Sequence, residues 1–255
     1  MILTDTHTHL YLEHFDNDRH EVVQNAIDKG IHYMLIPNID SKSVDGMLSL
    51  CDEFPENCFP MMGLHPTDVK TNCQKELKIV EQWLEKRKFV AIGEIGIDLY
   101  WDKTFVKEQN ISFRHQIALA KKHKLPIIIH SRESMKEIFD ILDDVHTSDL
   151  KGVLHCFSGT EKDAHKAIEM GYYLGIGGVV TFKNSNLKNI LREIDLKHIL
   201  LETDAPFLTP TPFRGKRNES AYIYYIAEKI AEIKGISIDE VAEITTQNAK
   251  NLFKF

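Results

Sequence analysis

Short apolar, β-branched runs alternate along the chain with longer stretches whose apolar residues recur at helical spacing. The short runs predict strands at Ile2–Thr6, Tyr33–Pro37, Phe59–Leu64, Val90–Ile95, Pro126–His130, Gly152–His155, Tyr172–Ile176 and Ile199–Thr203. Helical periodicity is clear in Glu21–Lys29, Gln74–Lys86, Lys107–His123, Ser134–Leu142, Glu161–Met170, Asn186–Ile194, Ala221–Ile233 and Ser237–Leu252. Alternating strands and helices predict a parallel sheet. Eight such units in 255 residues predict one closed α/β domain, a (β/α)8 TIM barrel spanning residues 1–255. A doubly wound open sheet is the alternative, but it normally places a Gly-rich phosphate loop after the first strand. Here that strand runs into THTHL, with no glycine.

Composition changes this picture little. Apolar residues make up 43% and charged residues 27% of the chain, an ordinary globular balance. The formal charge of −7 argues against a protein that coats long duplex DNA, but not against one that grips a strand end. The N-terminal MILTDTHTHL is too polar for a signal peptide, and no apolar run is long enough for a membrane helix. A cytoplasmic protein with no membrane partner is expected. Cys51, Cys58, Cys73 and Cys156 form no CxxC pair. A Cys51–Cys58 disulfide is conceivable, although free thiols in a reducing cytosol are the expectation.

The polar residues at the strand ends carry the chemistry. Five predicted strands end in metal-ligating residue types: His7 and His9, Glu94, His130, His155, and Asp204. A sixth ends in His65. In a barrel these ends share one face, which is where active sites form. His7 and His9, two apart on an extended chain, point the same way and can share a cation. Asp5 lies one step deeper, as either a partner of those histidines or a satisfied core carboxylate. Glu94, in GEIGID, has two oxygens and can bridge a pair of cations. Glu202 and Asp204 are expected on one face, with Asp204 nearer the mouth. Glu202 would bind an additional cation or hydrogen-bond a ligand histidine. The set predicts one or two divalent cations; mixed imidazole and carboxylate donors suit Zn, Mn, Fe, Co or Ni.

THTHL, GLHP, GEIGID, IIIHSR, LHCFSG, ETDAPFL and RGKRNE, in this order, resemble the TatD-type metal-dependent deoxyribonucleases, and the similarity runs nearly end to end. The resemblance implies the barrel and phosphodiester hydrolysis with divalent cations, Mg, Mn or Zn. It implies one cation on His7, His9, Glu94 and Asp204, and another on Glu94, His130 and His155. It also implies phosphate contacts from His65 and Arg214. Two departures stand out. Ser220 replaces a proline in the family's NEPAY block, where serine would serve as a helix N-cap. GEIGID then runs into Leu99-Tyr100-Trp101, a change that could alter base stacking.

The expected activity is 3′–5′ exonuclease-like cleavage of single-stranded DNA by metal-activated water. Asp204 and Glu94 are the expected catalytic residues, with Asp204 orienting the water and accepting its proton. Arg214, Lys216 and Arg217 would hold the substrate phosphate, with Arg132 a weaker candidate of the same kind. Tyr100, Trp101 and Phe213 are candidates for base stacking or for capping the core. Two rivals remain open. One is hydrolysis of a small-molecule ester or amide, or of an aminoacyl-tRNA ester, on the same ligands; the other is a binding protein with a vestigial site.

Overall fold

The computed structural model describes residues 1–255. Eight strands pair in parallel and in chain order: β1 (Leu3–Asp5), β2 (Ile31–Pro37), β3 (Cys58–Met62), β4 (Ala91–Asp98), β5 (Ile127–Arg132), β6 (Gly152–Leu154), β7 (Tyr172–Ile176) and β8 (Ile199–Leu201). Helices α1 (Arg19–Asp28), α2 (Val44–Glu53), α3 (Cys73–Lys86), α4 (Val106–His123), α5 (Met135–Val145), α6 (Glu161–Glu169) and α7 (Leu187–Glu193) alternate with them, and α8 (Ile223–Lys234) and α9 (Ile238–Phe253) follow β8. The architecture is the expected (β/α)8 barrel. The sequence pattern named no helix between β2 and β3, where α2 forms. Val44, Met47, Leu48 and Cys51 bury one face of α2 at helical spacing, but Gly46 and Ser49 dilute the signal.

Apolar side chains fill the lower part of the ring. Leu35, Met61, Ala91, Ile128, Val153 and Leu200 pack together with Ala249, Leu252 and Phe253 of α9, which plug its N-terminal end. A larger apolar cluster packs the helices onto the outside of the sheet. The strand period of two then carries polar residues up the same inner wall. His130, His155 and Glu202 lie two positions beyond Ile128, Val153 and Leu200.

The seam between β8 and β1 closes beyond both strands. Thr6 N donates to Leu201 O at 2.9 Å, Asp204 N to His7 O at 2.9 Å, and His9 N to Ala205 O at 2.8 Å, while Thr8 bridges Ala205. The backbone that closes the ring is therefore the backbone that bears His7, His9 and Asp204. Asp5 fastens the seam from below. Its buried carboxylate accepts hydrogen bonds from Thr203 N (2.9 Å), Thr203 Oγ1 (2.6 Å) and Ser220 Oγ (2.7 Å). Burial outweighs these bonds and pushes the Asp5 carboxyl up to about 7. Ser220 is not the expected N-cap. It opens the short 3-10 turn before α8, and its hydroxyl is committed to Asp5. The four cysteines are free thiols, and Cys51 and Cys58 are both buried without being joined. No helix is long and apolar enough to cross a membrane.

Candidate metal centre

The C-terminal end of the barrel opens into a cavity of about 620 Å³. His9, His65, Glu94, Asp98, His130, His155 and Asp204 line it. His7 lies just beneath, fully buried.

Glu94 is the hub. Its Oε2 lies 3.0 Å from His7 Nε2 and 3.7 Å from His9 Nε2. Its Oε1 lies 2.7 Å from His130 Nδ1, 3.4 Å from His65 Nε2 and 3.8 Å from His155 Nε2. Each oxygen thus faces its own set of imidazoles. Asp204 Oδ1 completes the ring at 3.9, 3.7 and 3.8 Å from His7, His9 and His155. Asp204 takes a left-handed backbone, φ 57°, a conformation that aspartate tolerates better than most residues. The strict alternation expected for Glu202 and Asp204 therefore does not reach Asp204. The two carboxylates instead address opposite nitrogens of His155, with Glu202 Oε1 at 3.0 Å from Nδ1. Glu202 is fully buried and also accepts from Cys156 N. Gly175 makes room for it, since a Cβ there would stand 2.3 Å from Glu202 Oε2.

Hydrogen-bond partners settle which nitrogen of His9 carries the proton. The Tyr11 hydroxyl donates its one proton to Pro37 O (2.9 Å), so its oxygen accepts from His9 Nδ1 at 3.2 Å. His9 Nε2 then turns a lone pair to the centre. His65 Nδ1 lies 2.6 Å from Thr67 Oγ1, itself 3.0 Å from Asp68 Oδ2, and 3.2 Å from Thr67 N, while its Nε2 faces the cavity 3.4 Å from Glu94 Oε1.

Buried charge is distributed accordingly. Burial drives His9 down to about 4 and His7 well below its ordinary value, so both are neutral. Burial opposes ionisation of Glu94, but the surrounding imidazoles, His65 foremost, hold it well below the usual carboxylate range. Burial also opposes charge on His130, yet Asp98 and Glu94, one at each ring nitrogen, raise it to about 9. His155 rises to about 10 against burial, chiefly through Glu202 and Glu94. Burial pushes Asp204 up to about 7.

A divalent cation fits these donors. His7, His9 and Glu94 form one potential ligand group, His7, His155 and Asp204 a second, and His65, Glu94 and His130 a third. His7 Nδ1 and Glu202 Oε2 are buried without a hydrogen-bond partner. His7 Nε2 and His9 Nε2 face each other at 3.2 Å, a contact that a shared cation would occupy.

Sequence reasoning missed Asp98. Its Oδ2 sits 2.9 Å from His130 Nε2, and it is held down to about 2 as that bond and two backbone N–H bonds outweigh burial. The period-two rule from Glu94 and the ID of GEIGID could have flagged it. It also missed Phe207, which lines the cavity. Among the predicted phosphate contacts, Arg132 lines the cavity with its guanidinium 3.9 Å over the Tyr100 ring. Arg214 stands outside the lining, exposed and 3.8 Å over Phe182. Arg217 is committed elsewhere, bonding Asp18 at 2.8 and 2.7 Å and His14 O at 2.8 Å, which corrects its expected substrate role. Phe213 stacks on Tyr222 at 4.5 Å and packs against Tyr225, so it is a packing residue.

The family model for TatD-related DNase matches residues 4–254. The chain belongs to this family. It is 40% identical to the uncharacterized metal-dependent hydrolase YabD of Bacillus subtilis, over 99% of both chains. It is 30% identical to a 3′-5′ ssDNA/RNA exonuclease TatD of Erwinia tasmaniensis, over 94% of this chain and 95% of that one. The crystal structure of the TatD homologue YJJV from Escherichia coli superimposes with a TM-score of 0.93 at 29% identity, covering 99% of this chain and 98% of that one. As a TatD-family member the chain is a metal-dependent hydrolase on a (β/α)8 barrel, with His, Glu and Asp groups able to bind metal.

Proposed function

We propose that this hydrolase cleaves phosphodiester bonds at the ends of single-stranded DNA. The observation that carries the reading is the division of labour around Glu94. Its oxygens face imidazoles on two sides, while His65 presents its Nε2 to the same cavity. His7, His9, Glu94 and Asp204, together with Glu94, His130 and His155, would hold one or two divalent cations such as Mg, Mn or Zn. Cations at such a site lower the pKa of water and offset phosphoryl charge.

The chain's own residues do the rest. Asp204, poised near neutrality, orients the attacking water and accepts its proton. His65, whose Nε2 faces the cavity, contacts the substrate phosphate. Arg132, at the cavity wall, holds the substrate phosphate, and Arg214, exposed over Phe182 in the segment after β8, contacts phosphate further along the strand. The 30% identity to an exonuclease with a 3′-5′ polarity supports that direction of attack. The free thiols fit a cytoplasmic location.

Metal-loaded protein incubated with a 3′-labelled or 5′-labelled single-stranded oligonucleotide should shorten it from the 3′ end. If the strand stays intact while a carboxylic or aminoacyl ester is hydrolysed, the rival reading of the same site takes its place.

A further inference from the structure

Exposed apolar side chains gathered beside a cavity mark a place where something binds. Here Trp101 is 67% exposed, Tyr100 49% and Phe207 47%, and Trp101 and Phe207 both line the cavity of the metal centre. The loop bearing Tyr100 and Trp101 is tied to the chemistry by a single carboxylate. Asp98 Oδ1 accepts from Tyr100 N and Trp101 N, each at 2.9 Å, while its Oδ2 meets His130 Nε2 at 2.9 Å. A second link runs in parallel from β5. Leu99 N donates to Arg132 O at 2.9 Å, and the Arg132 guanidinium lies 3.9 Å over Tyr100 and 5.3 Å from the Trp101 centroid. The Tyr100 and Trp101 rings meet edge to face at 5.0 Å. Tyr100 is thus used as a brace for Arg132, and Trp101 keeps a free surface.

We propose that Trp101 is a stacking platform for an unpaired base of the strand whose phosphate lies at the metal centre, with Phe207 as the apolar wall of the same subsite. The proposal rests on the phosphodiesterase reading above. Asp98 fixes the distance between platform and site, because one side chain holds both. A base stacks there only when it is unpaired, so the platform selects single strands over duplex ends. Arg132 then serves the phosphate next to the stacked base, held in place by the Tyr100 face.

The test uses full-length protein carrying Trp83→Phe, which leaves Trp101 as the only tryptophan. Titrating this protein in EDTA with a single-stranded oligodeoxynucleotide should quench the Trp101 emission saturably, and a blunt duplex should not. In metal-loaded wild-type protein, Trp101→Ala should raise KM for the oligonucleotide about ten-fold. Trp101→Phe should restore most of that loss, and an abasic residue near the scissile bond should reproduce it in wild type. Emission indifferent to the oligonucleotide, or a KM unchanged by Trp101→Ala and by the abasic residue while cleavage proceeds, would overturn the platform alone. No cleavage by wild type under any cation would remove the phosphodiesterase reading, and the platform with it.

Discussion

His9 shows how much a single residue's function depends on the atom behind it. The Tyr11 hydroxyl donates to Pro37 O and accepts from His9 Nδ1, which leaves His9 Nε2 a lone pair for the centre. Nothing in the spacing of THTHL discloses that partner. Asp98 acts in the same way on His130, through a 2.9 Å contact to Nε2. Asp98→Asn removes the negative charge from that contact while keeping the shape. It should weaken divalent-metal affinity by roughly 10–100-fold. Competition with a chromophoric chelator measures this directly, and an unchanged affinity would show that Asp98 serves only the loop.

At the scale of elements, helix α4 supports the site through two buried glutamines one heptad apart. Gln116 accepts from Leu64 N at 2.7 Å and donates to Leu64 O at 3.1 Å, next to His65. Gln109 accepts from Asp98 N at 2.9 Å and donates to Asp98 O at 3.3 Å. Each amide stands in for a neighbouring strand where β3 and β4 run out of pairing. Gln116→Leu leaves a buried N–H and a buried C=O without partners and should cost on the order of 3 kcal/mol. Thermal unfolding should show it as a midpoint lowered by roughly 5–10 °C. A loss of less than about 1 kcal/mol would mean that water replaces the amide at no cost.

Across the whole molecule, the buried ionisable groups make the metal-free protein pH-sensitive in one direction. His130 (about 9) and His155 (about 10) have pKa values raised above their ordinary value, so the stability they contribute is complete below about 6.5. It is lost as pH rises through those folded-state values. Asp5 and Asp204, raised to about 7, likewise lose folded-state stability as pH rises through 7. His9, lowered to about 4, contributes only below about 6.5 and with the opposite slope. The melting temperature in EDTA should therefore fall steadily from pH 6.5 to 10. Saturating divalent metal, which replaces the ligand protons, should flatten or reverse that fall. A flat profile in EDTA would show that these groups do not titrate as the geometry demands.

The barrel was legible in the sequence because strand and helix periods alternate with little interruption, and the cluster at its mouth because six strand ends carry histidine or carboxylate. What lay hidden depends on three-dimensional neighbours. α2 is diluted by Gly46. Ser220 looks like a cap until Asp5 is placed beside it. Arg217 looks like a phosphate contact until Asp18 meets it from a segment about two hundred residues away. Phe213 looks free until Tyr222 covers it.

All of this turns on Glu94 joining imidazoles from several strands around divalent cations. Elemental analysis of wild type and Glu94→Gln, each stripped and then dialysed against limiting Zn or Mn, tests it most directly. Wild type should retain one to two cations per chain, and Glu94→Gln should retain far less, while far-UV circular dichroism shows both folded. Equal metal content in the two proteins, or none in wild type, would contradict a centre built on Glu94.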